Sequence, residues 1–203
     1  MKSLVVGVVD YGVGNHASLV HCLKNIGYKV RLTSDPLVLD VVDTLILPGV
    51  GAFPFAMQAL HSRGLVRYLQ QQALSGRPMI GICLGMELLA SVSYEFDCTM
   101  GLDLIPGEIR PLLNGQRHIG WNALNCLTNL TALTHSQGQD FYFNHTLKYE
   151  GPQKYVVCQS WHGEELPAVI QNKNVIGLQF HPEKSQIAGH NLLQRLISDG
   201  FNA

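Results

Sequence analysis

The stretch Met79-Ile80-Gly81-Ile82-Cys83-Leu84-Gly85-Met86-Glu87-Leu88-Leu89-Ala90 joins a short apolar run directly to a strongly helix-forming segment. Such a run needs no alternation if it is buried on both faces, as in a parallel sheet whose crossover helices cover it. Met79 to Ile82 therefore reads as a strand, and Met86 to Ala90 as the helix that leaves it. Gly81 and Gly85 stand two residues either side of Cys83, the form of a nucleophile elbow with cysteine in the nucleophile slot. An elbow is tight, so its flanks must lack side chains, and the new helix aims its first N–H groups at the sulfur. That setting is expected to lower the thiol pKa, while the N–H of Leu84 is placed to bind an oxyanion. The same five residues also fit a buried structural cysteine between two sheet-packing glycines, and only a base nearby distinguishes the two.

Upstream, strands and helices alternate. Leu4 to Val9 reads as the first strand; Ala17, Leu19, Val20, Leu23 and Ile26 follow helical spacing, with Gly27 at the stop. Lys29 to Thr33 and Thr44 to Leu47 are the next strands, and one helix is expected from about Pro54 to Leu74, closed by Ser75-Gly76-Arg77-Pro78. Downstream, from Gly101 to Phe180, shorter strands between turn residues predict antiparallel or mixed pairing, at Gly107 to Arg110, Asp140 to Phe143, Tyr155 to Gln159 and Val175 to Phe180. A final helix from about Ile187 to Ile197 carries an apolar stripe. The expectation is an α/β fold, a mostly parallel sheet flanked by helices with antiparallel strands added in the second half, forming one domain over 1–203.

The base that the elbow requires is found in Gln179-Phe180-His181-Pro182-Glu183-Lys184-Ser185, directly after the apolar strand Val175-Ile176-Gly177-Leu178. His181 emerges where open α/β sheets carry their sites. In extended chain residues two apart face the same way, so Glu183 can hold the imidazole in one tautomer, completing a cysteine, histidine, carboxylate triad. Pro48-Gly49-Val50-Gly51 closes the third strand, and a glycine-rich turn there can offer N–H groups to a developing oxyanion.

Composition sets the limits. Fourteen Lys+Arg against 15 Asp+Glu give a net charge of −1, with no basic surplus to hold a phosphate backbone, so nucleic acid is not an expected partner. No apolar run approaches the roughly 18 residues of a membrane span, and the start turns acidic and glycine-rich where a signal peptide stays apolar. Five cysteines without a C-x-x-C pair, and nine histidines without metal spacing, fit a reduced, cytoplasmic setting with no metal.

Taken in order, P-G-V-G-A-F, G-I-C-L-G-M, H-I-G-W-N and F-H-P-E-K-S-Q resemble the class I (triad) glutamine amidotransferases, over nearly the whole chain. More narrowly they resemble the glutaminase subunits of imidazole glycerol phosphate synthases. That resemblance implies the flavodoxin-like amidotransferase fold and no cofactor. It implies that Cys83 attacks the side-chain amide of glutamine, that His181 moves the proton, that Glu183 orients it, and that ammonia passes to a cyclase-type synthase subunit in a heterodimer. It further implies oxyanion-hole N–H groups from Gly51 and Leu84, with the glycine turn rearranging on activation. Glutamine contacts fall on Gly49, Val50, Glu87, Glu95 and the backbone around Thr146, and a partner face on Asn15, Trp121, Tyr142 and Lys184.

Two positions depart from the family pattern: Glu87 replaces a glutamine, and Leu147 replaces an aromatic. An ionised carboxylate only accepts hydrogen bonds and adds charge beside the carboxylate of a bound glutamine. Three other readings remain. Gly14 to Ser18 and Asn144 resemble a branch of the family that supplies ammonia for amidation of a sugar in surface polysaccharide synthesis. Gly12-Val13-Gly14-Asn15-His16-Ala17 with Asp35 matches a dinucleotide-binding pattern, although Pro36 follows and the triad is left unexplained. A catalytically silent subunit is the third.

Overall fold

The computed structural model describes residues 4–128 and 130–200, so residues 1–3, 129 and 201–203 of the expected domain lie outside it. The first half follows the β–α alternation: β1 (Val5–Val9), α1 (His16–Asn25), β2 (Lys29–Thr33), α2 (Pro36–Leu39), β3 (Thr44–Gly49), α3 (Phe53–Ser62), α4 (Leu65–Leu74), β4 (Met79–Cys83) and α5 (Leu84–Glu87). The second half is strand-rich: β5 (Ala90–Ser93), β6 (Thr99–Met100), β7 (Ile105–Pro111), β8 (His118–Ala123), β9 (Asn125–Cys126), β10 (Asp140–His145), β11 (Leu147–Glu150), β12 (Val156–Trp161), β13 (Glu165–Asn172) and β14 (Val175–Leu178), before α6 (Gln186–Ser198).

The main sheet has the order β2-β1-β3-β4-β14-β13-β12-β9, parallel from β2 through β14 and antiparallel beyond. Side chains on its strands alternate between two apolar layers. Leu45, Leu47 and Met79 join α3, α4 and α5 on one face; Ile46, Ile80, Ile82, Ile176 and Leu178 join α1 and α6 on the other. A ribbon of β8 and β10 and a sheet of β11-β7-β5-β6 complete the fold. The expected class, largely parallel with later antiparallel strands, is the one observed.

Two helices differ from expectation. The span 54–74 is two helices, because Gly64 takes the left-handed conformation (φ 66°) and ends the first turn-by-turn ladder. Helical periodicity continues across such a break, which is why the sequence reads as one element. Of the segment Met86 to Ala90 only Met86 and Glu87 are helical, in the single turn of α5, and Ala90 already begins β5. The Leu88, Leu89 and Ala90 carbonyls then accept from Leu102, Leu104 and Asp103, so pairing with the following segment overrides helix propensity. The short α2 was not foreseen; Asp35 caps it, accepting from the N–H of Leu37 at 2.9 Å.

Candidate active site

Cys83 and His181 stand at the ends of neighbouring parallel strands. In register, Gly49 of β3 lies beside Cys83 of β4, and Leu178 of β14 beside Ile82, with His181 three residues past Leu178. Cys83 adopts φ 54°, ψ −114°, a conformation that few side-chain-bearing residues adopt. Its neighbours explain how the elbow is held. A Cβ on Gly85 would sit 1.8 Å from the Leu47 carbonyl oxygen, and one on Gly81 would sit 2.5 Å from the Gly85 oxygen. Both glycines are therefore required by close backbone approach, as the motif predicts.

The thiol is 6% exposed, and its Sγ lies 3.9 Å from the Asn144 carbonyl oxygen. Burial pushes its pKa up, with Glu87 adding to the rise, and the hydrogen bond from the Leu84 N–H pulls the other way without prevailing. This corrects the expectation drawn from the elbow alone: the resting group is a thiol, and it needs a base. His181 supplies one within the same cleft. Its Nδ1 is 2.9 Å from Glu183 Oε1, both side chains being buried, so Nε2 is the nitrogen left to act as base, while the thiol itself rests against the Asn144 carbonyl. Ser185 donates its hydroxyl to the His181 carbonyl at 2.6 Å and accepts the Tyr142 N–H at 3.0 Å, and the His181 N–H donates to the Tyr142 carbonyl. The Glu183 carboxylate thus holds the imidazole, and Ser185 and Tyr142 hold the main chain that carries it.

A cleft of about 240 Å³ opens over this pair, large enough for an amino-acid side chain and headgroup. Val50, Gly51, Leu84, Glu87, Glu95 and Thr146 line it together with Cys83 and His181, so most of the expected substrate residues converge. Gly49 does not: it lies in a crevice behind the turn, with Asn15, Pro48, Ile82, His181 and Glu183. One oxygen of Glu95 is already occupied, accepting the Phe53 N–H at the start of α3 at 2.6 Å. Glu87 is buried, and its Oε1 accepts from Gln179 Nε2 at 3.0 Å. Burial raises its pKa to about 8, against the weaker lowering by Gln179, with Glu95 adding to the rise. At neutral pH most of this population is the neutral acid, which can donate as the family's amide does.

Three of the four expected partner-face residues form a row. The Trp121 and Tyr142 rings meet edge to face at 6.0 Å, and Lys184 Nζ lies 5.9 Å from the Tyr142 ring centroid. Trp121 is 49% exposed, so it is not the core aromatic that a buried reading would require. Asn15 occupies the N-cap position of α1, yet its amide donates to Ser18 Oγ instead of accepting a helix N–H. Asp35, the residue on which a dinucleotide reading depends, is engaged as the cap of α2. Sequence reasoning missed Tyr11, fully buried with its hydroxyl on the Pro48 carbonyl at 2.8 Å under the glycine turn. It also missed Ser185 and the pair His118 and His145; the motif H-I-G-W-N contains His118 but was read only for its tryptophan.

An α/β sheet with a cysteine elbow, a carboxylate-held histidine and a shared cleft defines a thiol-dependent amide-cleaving site, and the chain belongs to the class-I glutamine amidotransferases, whose family model matches residues 7–198. It is 42% identical over 193 residues to the imidazole glycerol phosphate synthase subunit HisH of Streptococcus sanguinis, covering 93% of each chain. It is 38% identical to the protein of the same name from Methanothermobacter thermautotrophicus, over 95% of this chain and 98% of that one. The fold likewise superposes on a structure titled PurLQS from Thermotoga maritima, with a TM-score of 0.77 at 19% identity, over 98% of this chain and 99% of that one.

Proposed function

We propose that this chain is the glutaminase subunit of an imidazole glycerol phosphate synthase in histidine biosynthesis, working in the cytoplasm as one domain over 1–203. It hydrolyses glutamine to glutamate and passes the ammonia to a cyclase-type synthase subunit. The observation that carries the reading is the shared cleft of Cys83 and His181, with Glu183 2.9 Å from the second ring nitrogen. The names borne by relatives of about this length support the acceptor.

In this mechanism Nε2 of His181 takes the Cys83 proton as the sulfur attacks the amide carbon of glutamine. The resulting oxyanion is held by the N–H groups of Leu84 and, after the Pro48 to Gly51 turn adjusts, Gly51. His181 returns the proton to the departing ammonia, leaving a thioester. The same imidazole then deprotonates water, which attacks the thioester; glutamate leaves and the thiol is restored. Glu183 keeps the imidazole oriented and stabilises its charged form. Glu87 as a neutral acid, Glu95, Val50 and the backbone near Thr146 bind the amino-acid end. Trp121, Tyr142, Lys184 and Asn15 face the partner.

The test is glutamate release by the purified chain, alone and with the cyclase-type subunit from the same genome, with and without that subunit's nucleotide substrate. Cys83→Ala is the blank. Release that requires the liganded partner and vanishes in the blank is expected. Absence in every combination overturns the histidine-pathway role and directs the same assay to a sugar-amidating partner.

A further inference from the structure

Away from the reacting atoms, a chain of side-chain hydrogen bonds runs from β8 to the wall of the cleft. Asn122 Nδ2 donates to the Trp161 carbonyl at 2.6 Å and lies 3.2 Å from His118 Nε2. His118 Nδ1 is 2.9 Å from His145 Nε2, and His145 Nδ1 is 2.6 Å from the Leu147 carbonyl oxygen. The last contact fixes every proton. A carbonyl only accepts, so His145 carries its hydrogen on Nδ1 and, when neutral, presents a lone pair at Nε2. His118 must then donate from Nδ1 and accept the Asn122 N–H at Nε2. Asn122 Oδ1 in turn accepts the Ala123 N–H, so the chain has one self-consistent direction.

Burial keeps both rings neutral, holding His118 down to about 3 and His145 to about 4. The His118 ring is stacked between Phe143 and His162, each at 4.3 Å, and rings in such a sandwich do not converge on a metal ion. Among the described residues no three metal-ligating side chains group for one. What the chain does reach is the corner where β10 passes into β11. Asn144, His145, Thr146 and Leu147 all line the cleft, and the Asn144 carbonyl is the one facing Cys83 Sγ.

We propose that His118 is a positioning residue for the glutamine site: by donating to His145 it fixes the 144–147 corner against which glutamine and the Cys83 thiol are set. The inference rests on the glutaminase reading above. It also joins that corner to β8, whose exposed Trp121 adjoins Asn122, so a change at this face has a bonded route to the cleft.

Two variants separate positioning from packing. His118→Phe keeps the stack and loses both hydrogen bonds; His118→Asn loses the stack, while its amide nitrogen overlays Nδ1 and keeps the donor. In the complex with the synthase partner, the Phe variant is expected to raise the glutamine KM by about fivefold or more with a smaller change in kcat, the range of one buried hydrogen bond. The Asn variant should hold KM near wild type despite a lower Tm. An unchanged KM in the Phe variant, or losses that follow Tm in both, overturns the proposal. Should the Phe variant fail to fold, nitrogen NMR of the wild-type imidazoles decides: protons on Nδ1 of both His118 and His145 are expected, and a proton on Nε2 of His118 overturns it. If the wild type itself releases no glutamate, the glutaminase reading fails. The contrast is then read as glutamine Kd by calorimetry, where equal values in wild type and the Phe variant, or no binding at all, overturn the positioning role as well.

Discussion

The main-chain N–H of His181 donates to the carbonyl of Tyr142 at 2.8 Å, tying the end of the main sheet to the β8–β10 ribbon at the base of the site. Ser185 closes the same junction from the other side, with its hydroxyl on the His181 carbonyl and its oxygen on the Tyr142 N–H. Removing that hydroxyl leaves the part-buried Tyr142 N–H unsatisfied and strips one of two donors from the His181 carbonyl, which keeps the Lys184 N–H. Ser185→Ala is expected to cost about 1–3 kcal/mol in denaturant unfolding. Because His181 is displaced, kcat should fall while a surface serine variant shows neither effect.

Glu183→Gln removes the charge facing the imidazole while keeping its shape. An amide can turn its nitrogen to Nδ1 and so demand the wrong tautomer. A fall in kcat of about 10²–10⁴-fold is expected, with glutamine KM little changed. Pre-steady-state formation of the thioester is the measurement, since it isolates the first proton transfer.

Glu87 gives the site a pH dependence of its own. Its carboxyl is raised to about 8 by burial, with Gln179, Glu95, Tyr11 and Cys83 as the groups around it. Ionisation above that pH places a negative charge beside the glutamine carboxylate, so glutamine KM should rise on the alkaline side, and Glu87→Gln should abolish that limb. The stability sign is set by the same shift. Between the unfolded carboxyl pKa and about 8 the folded chain binds the extra proton, so stability falls as pH rises through this window and levels off above it. Urea midpoints of Glu87→Gln and wild type should therefore diverge from pH 5 to pH 8, the variant gaining.

Two glycines that share the elbow's packing should respond unequally. An added Cβ at Gly85 meets the backbone oxygen of Leu47, which cannot move without breaking β3, whereas at Gly177 it meets the Met86 side chain at 2.5 Å. Methionine can change rotamer. Gly85→Ala should cost more than about 3 kcal/mol or fail to fold, and Gly177→Ala about 1–2 kcal/mol, by thermal unfolding.

The elbow and the His181 strand end were legible in the sequence because both are local patterns: glycines at fixed offsets from Cys83, and an apolar run ending at His181. The parallel half was legible for the same reason. What was not legible depends on long-range approach. The state of the thiol is decided by burial, which outweighs the local hydrogen bond from the Leu84 N–H. Gly64 splits a helix whose periodicity runs through the break. His118 and His145 meet only because β8 pairs with β10, a register that hydrophobic alternation did not specify, and Tyr11, just past β1, meets Pro48 on the neighbouring β3.

The reacting side chains and their cap come from different sheets of the fold. Cys83 and His181 are fixed by neighbouring parallel strands, whereas Trp121, Tyr142 and Asn144 belong to a two-stranded ribbon that packs on that sheet through Phe141 and Phe143, both against Phe180. Such a division favours evolvability. Substitutions at exposed ribbon positions such as Trp121 can alter the outer face while Cys83 and His181 keep their strands, whereas the buried His118 and the Tyr142 backbone bind the inner side of the ribbon to the chemistry beneath.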